Sequence, residues 1–133
     1  MATLNDPEVQ KLLTDPNYAV VSTVSRDGSI HSTVVWINLW DGFPTVNSAQ
    51  GRLWPTNLER DPHITVVVFD SADPYHFVEI RGTTTGTIEG ADEHINALSK
   101  KYIDQDEYPG RRPGEQRVRF MILPSSIRYV KQS

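Results

Sequence analysis

The segment Arg52-Leu53-Trp54-Pro55-Thr56-Asn57-Leu58-Glu59-Arg60-Asp61-Pro62 combines two guanidinium groups and a carboxamide within little more than two helical turns. It reads as a short helix set between strands. A helix start carrying Arg52 and Asn57, with Arg60 one turn on, suits an anion, because free backbone N–H groups and guanidinium donors converge there. A phosphate or carboxylate is the chemistry such a cradle holds. The alternative is a solvated surface helix, with Asn57 in a turn and Arg60 paired to Asp61 or Glu59, and such surface charges contribute little. Asn47 and Ser48 precede the segment. They suit either hydrogen bonds to the same anion or capping of the helix.

A second group is aromatic. Val34, Trp36, Asn38 and Trp40 alternate along one expected strand, so they share a face. A mixed aromatic and polar face stacks a flat heterocycle and bonds its edge; it also serves as core or as an oligomer contact. Trp54 adds a third tryptophan beside Arg52. Glu79 and Arg81 share another strand face with Phe77 and suit a cross-strand ion pair. His31, His63, His76 and His94 have no metal-pair spacing, and the chain has no cysteine, so no metal site is expected. No Ser-His-Asp order, paired catalytic carboxylates or phosphate-binding glycine loop is present. No catalytic residue is assigned, and hard chemistry would belong to a bound cofactor.

The elements that must position these groups follow from the pattern. Asn5-Asp6-Pro7-Glu8 opens a helix with Val9, Leu12 and Leu13 on one stripe, ended by Asp15-Pro16. Tyr18 to Ser25 is a strand, Asp27-Gly28 a turn, Ile30 to Trp40 a longer strand, and Phe43 to Ser48 a third, making a three-stranded meander. Ile64 to Phe69 is nearly continuous apolar sequence, expected to be buried on both faces. Ser71 to Pro74 is expected as a loop. Tyr75 to Arg81 continues past a bend at Gly82 into Thr83 to Glu89. Ala91 to Ile103 is an amphipathic helix. Asp104 to Gln116 is expected as a mobile surface loop, and Val118 to Leu123 and Ile127 to Lys131 as strands broken at Pro124. The fold class is mainly β (α+β): about six to seven antiparallel strands with a few short helices, closed or partly closed into a barrel.

With 133 residues, one domain spanning 1–133 is expected. The net charge of −4 argues against a nucleic-acid binder. No basic-then-apolar leader and no apolar run of roughly 20 residues is seen, so a cytoplasmic location without membrane contact is expected.

The block Asn57-Leu58…Arg60-Asp61-Pro62, followed by Val78-Glu79-Ile80-Arg81-Gly82, resembles the pyridoxamine 5′-phosphate oxidase-like split β-barrel family. It is most similar to the branch of small deazaflavin (coenzyme F420)-dependent oxidoreductases. The likeness runs from about Tyr18 to Tyr129. It implies a homodimer with cofactor sites at the subunit interface. It also implies a reductase passing hydride from reduced F420 to an unsaturated or quinone-like small molecule. Arg52 and Asn57 match positions that hold the cofactor phosphate, with Asn47 and Ser48 beside it. Val34 and Trp36 match the strand lining the ring and ribityl chain. Many deazaflavin-binding relatives carry lysine where this chain has Trp54, which cannot pair with phosphate charge and could stack instead. That departure leaves Arg60 and backbone donors to assist Arg52. It keeps FMN as the alternative cofactor, and a non-catalytic carrier as the alternative function.

Overall fold

In the computed structural model, which describes residues 2–132, seven strands form one antiparallel sheet in the order β2-β1-β5-β6-β7-β4-β3. The elements are α1 (Pro7–Thr14), β1 (Ala19–Val24), β2 (Ile30–Val35), β3 (Asn38–Trp40) and β4 (Phe43–Ala49). They continue with α2 (Leu53–Arg60), β5 (His63–Asp70), β6 (Asp73–Thr87), α3 (Ala91–Ile103) and β7 (Arg117–Lys131). This is the split-barrel architecture expected from the sequence. No described helix is long and apolar enough to cross a membrane.

The first half is not a meander. Ile30 to Trp40 divides into β2, which pairs with β1, and β3, which pairs with β4. The two pieces occupy opposite edges of the sheet. The break has a physical cause at Ile37. Its N–H donates to the Tyr102 hydroxyl at 3.2 Å, and its carbonyl accepts from Lys101 Nζ at 2.6 Å. Both backbone groups are satisfied by α3 side chains instead of a neighbouring strand. Trp36 therefore leaves the strand, and Val34 and Trp36 do not share a face with Asn38 and Trp40.

β5 alternates. Ile64, Val66 and Val68 are buried, while Thr65, Val67 and Phe69 are half-buried. One side of that strand faces the core, not both. β6 begins at Asp73, so the connection from β5 is a tight turn and the expected loop is shorter. β7 runs without a break through Pro124. Its ladder with β6 shifts register between Arg81 and Gly82, leaving Ser125 as the extra residue. Ser125 Oγ donates to the Arg81 carbonyl at 3.1 Å. The bulge absorbs the proline's missing donor. Gly82 is required there, since a Cβ would collide with the Leu123 backbone carbonyl.

The core lies inside the curved sheet. Val21, Val46, Val66, Val78, Ile80 and Ile122 meet Val9, Leu12 and Leu13 of α1 and Trp54 and Leu58 of α2. Proline at the start of α1 and Asp15-Pro16 at its end set its bounds as the sequence implies. α3 packs on β7 and β4. It carries the side chains that close the Ile37 break.

Candidate functional site

A cleft of about 370 Å³ opens where β2, β4, α2, α3 and the start of β7 converge. Its size suits a small organic ligand. Thr33 and Val34 of β2 line one side, and Trp36 lies at the strand's end. Asn47 and Ser48 at the end of β4, Arg52 and Trp54 at the start of α2, and Arg117 at the start of β7 line the other. Six of the eight sequence-derived binding residues thus meet in one place: Val34, Trp36, Asn47, Ser48, Arg52 and Trp54. Asn57 and Arg60 do not line it. Asn57 is buried, and its Nδ2 donates to Thr23 Oγ1 at 3.1 Å and Ser25 Oγ at 3.4 Å. Arg60 Nη2 bonds the Val24 carbonyl. Both tie α2 to the end of β1. Neither Asp61 nor Glu59 pairs with Arg60; Asp61 bonds His63 instead.

The aromatic wall is built from four segments of the chain. Trp36 stacks on Tyr102 of α3 at 5.2 Å with an interplanar angle of 5°. Tyr18 also stacks on the Tyr102 ring, at 5.8 Å, and Tyr108 meets Trp36 edge-on. Burial pushes the Tyr102 hydroxyl up to about 12, so it stays a proton-bearing donor to the Asn17 carbonyl. Burial also pulls Lys101 down to about 8. Its ammonium bridges the Leu13 and Ile37 carbonyls, at 2.6 Å each. Trp54 is packed against Phe120 at 5.5 Å and is only 7% exposed. It is therefore a floor residue.

A buried polar chain underlies the cleft. Arg117 Nε donates to Asn47 Oδ1 at 2.9 Å, and Asn47 Nδ2 donates to His94 Nδ1 at 3.1 Å. His94 Nε2 then donates to Asn38 Oδ1 at 2.8 Å. A guanidinium only donates, so it fixes the direction of every later bond. Asn47 Nδ2 also donates to the Ala91 carbonyl, which secures the same amide orientation. His94 must then be neutral, with its proton on Nε2. Burial, with the charges of Arg119 and Arg117 second, drives its pKa from 6.5 down to about 3.

The electrostatics behind Arg52 and Arg117 centre on Glu115. Its side chain is 6% exposed, bonds Arg117 Nη1, and lies 3.8 Å from Arg52 Nη2. Its second oxygen accepts the Arg112 N–H at 2.8 Å. Burial pushes this carboxyl up, but the Arg112 N–H and the Arg117 guanidinium outweigh it and hold the group below its ordinary range. The segment 104–116 is accordingly anchored to the body: Tyr108 N–H donates to Asn96 Oδ1 at 2.9 Å, and the Arg117 guanidinium lies over the Tyr108 ring.

Arg117, Glu115, Tyr108, Tyr102 and His94 escape sequence reading. Arg117 looks like an ordinary strand residue, and Glu115 is one charge among many in an irregular segment. His94 and Tyr102 lie on the apolar stripe of α3, where a packing role is the default. Glu79 pairs with Arg81 and with Arg128 across the ladder, each at 3.5 Å, as a strand-face ion pair. Among the described residues, no cluster of three or more histidines and carboxylates is placed to hold a metal.

Solved structures share this architecture. An F420 reductase superposes with a TM-score of 0.76 at 24% identity, covering 90% of this chain and 94% of that one. A conserved hypothetical protein from Mycobacterium tuberculosis gives 0.76 at 17% identity, with coverage of 96% and 85%. General Stress Protein 26 from Bacillus anthracis gives 0.68 at 20% identity, with coverage of 92% and 91%. These likenesses establish the fold. No curated protein matches the chain. The family described as Pyridoxamine 5′-phosphate oxidase matches residues 6–131, and with the split barrel and its cleft in view, the chain belongs to that family of flavin- and deazaflavin-binding proteins, which includes oxidoreductases.

Proposed function

We propose that the chain is a deazaflavin (F420)-dependent oxidoreductase that reduces an unsaturated or quinone-like small molecule. The observation that carries this reading is the juxtaposition of a stacked aromatic wall with a half-exposed guanidinium. Trp36 offers a flat face braced from behind by Tyr102, and Arg52 is 47% exposed at the other end of the same cleft. A planar ring with an anionic tail matches both ends. The F420 reductase among the similar structures supports the same cofactor choice.

The coenzyme, when bound, supplies the hydride chemistry. The chain's own residues bind and orient. Trp36 would hold the ring by contact, and Val34 would pack beside it. Arg52 holds the tail by charged hydrogen bonds, with Ser48 alongside. Ile95 and Leu98 of α3 keep water from the inner wall. Among the described lining residues, the titratable groups are Arg52, Arg117, Tyr18 and Tyr108. None is a carboxylic acid, so protonation of the product falls to solvent or to a tyrosine hydroxyl. Exposed Val34 and Tyr18 line the open cleft. A second copy of the chain covering them completes the site as a homodimer.

One observation favours FMN instead. Trp54 is a buried floor residue and supplies no charge for an acidic tail. Titration with oxidised F420 and with FMN, followed by tryptophan quenching, separates the readings, because Trp36 and Trp54 line the cleft. Tight F420 binding and weak FMN binding support the proposal. The reverse assigns the site to FMN. Binding without oxidation of reduced cofactor by any acceptor makes the chain a carrier.

A further inference from the structure

A buried negative charge, Glu115, lies directly behind the two arginines that line the cleft where an anion would bind. Arg117 is only 2% exposed; its Nε donates to Asn47 Oδ1 and its Nη1 bonds the Glu115 carboxylate, which compensates its charge. Arg52 Nη2 points to that same carboxylate oxygen from 3.8 Å. The other oxygen is held by the Arg112 N–H, so the carboxylate cannot turn away without breaking a backbone bond. Two guanidiniums and one carboxylate leave a single net positive charge, and it sits on Arg52. No carboxylate is among the described residues that line the cleft.

We propose that Glu115 tunes this cleft to accept a singly charged phosphodiester and to discriminate against a doubly charged phosphomonoester. One negative charge on the ligand matches Arg52. A second one finds no further uncompensated guanidinium, since Arg117 is paired with Glu115, and lies close to that carboxylate, where burial limits screening. Discrimination therefore comes from a repulsive group as much as from an attractive one. The inference rests on the ring-and-phosphate reading of the cleft. It bears on the cofactor directly, since F420 carries its phosphate as a diester and FMN carries a monoester that is mostly dianionic above a pKa of about 6.

The test uses the full chain and ligands that differ only in tail charge. FMN is compared with its methyl phosphodiester, and the same two tails are prepared on the deazariboflavin ring. Dissociation constants are read by tryptophan quenching at neutral pH. In the wild type, the methyl diester of whichever ring binds should be about tenfold tighter than the monoester, a difference near 1.4 kcal/mol. In Glu115→Gln the monoester should gain about tenfold and the diester less than about threefold, so the preference closes. A wild-type preference for the monoester overturns the proposal, and it needs no variant to be observed. Equal gains or losses for both tails in Glu115→Gln also overturn it, by showing that Glu115 only holds its segment in place. If no ring and no tail quenches the wild type, the ring-and-phosphate reading fails and the proposal falls with it.

Discussion

Acid should destabilise this protein through His94, by an amount set by its burial. The imidazole is fully buried, and its pKa is about 3 in the fold against 6.5 ordinarily. Below 6.5 the unfolded chain takes up a proton that the folded chain refuses. The unfolded state then binds more protons, so stability falls as pH falls. The loss runs from about pH 6.5 down to about pH 3, with a slope of about 1.4 kcal/mol per pH unit. At pH near 4.5, two units below the ordinary value, His94 alone removes about 2.7 kcal/mol. Urea unfolding followed by tryptophan fluorescence at pH 7 and pH 4.5 measures the loss. Carboxylates titrate in the same interval, so the comparison is with His94→Gln, which lacks the ionisable ring. The variant should start about 1–3 kcal/mol less stable at neutral pH because its hydrogen bonds are poorer. It should then lose about 2.7 kcal/mol less than the wild type on acidification. Parallel stability curves for the two proteins would refute the reasoning. They would mean that Asn47 can turn and accept a proton from a charged imidazole, despite the direction imposed by Arg117.

Other perturbations address the cleft and the sheet. Arg52→Ala should weaken cofactor binding by about 1.5–3 kcal/mol if the guanidinium makes charged hydrogen bonds to the tail, and an unchanged dissociation constant removes it from the site. Asn57→Ala should cost about 1–3 kcal/mol of stability by stranding Thr23 and Ser25, yet leave the cofactor affinity within a factor of about two; a large affinity loss would place Asn57 in the site after all. Trp54→Lys should lower the urea midpoint sharply, since it sets an ammonium where an indole packs on Phe120, and a loss below about 1 kcal/mol would show that the position opens to solvent. Gly82→Ala should cost about 1–3 kcal/mol, because a methyl group has no room beside the Leu123 carbonyl. Wild-type stability in that variant would mean the bulge relaxes freely.

Local pattern made α3 readable to its last residue, because Ile95, Leu98 and Tyr102 repeat at helical spacing and Gly90 precedes them. The bend at Gly82 was equally legible. What was not legible depends on residues far away in the chain. Nothing between Ile30 and Trp40 shows that the strand must break, since the groups that satisfy Ile37 belong to Lys101 and Tyr102. Pro124 looked like an end because its partner bulge is set by the facing strand. In the cleft, Arg52, Trp54, Asn47 and Ser48 lie close in sequence and were found together. Asn57 and Arg60 belong to the same segment, but the helical turn carries them toward β1. Arg117 and Glu115 reach the cleft only through the pairing of Ala49 with Arg117, a register that no local spacing encodes.

The two edge strands of the sheet are consecutive in the chain, joined only by Trp36 and Ile37. Edges of an open sheet can normally drift apart by fraying one hydrogen bond at a time. Here a covalent strap caps their separation, since the three steps from Val35 to Asn38 reach about 10–11 Å at full extension. The strap is also riveted from outside by α3 through both backbone groups of Ile37. One end of it, Trp36, is a wall of the cleft. The aperture therefore has a fixed gauge on that side, and it cannot widen by parting strands. Admission of a ligand is left to side-chain turns and to the segment 104–116, whose hold on the body is a handful of hydrogen bonds and ion pairs. A receptor made this way keeps the shape of its rigid jaw whether or not anything is bound, and confines adaptation to the other.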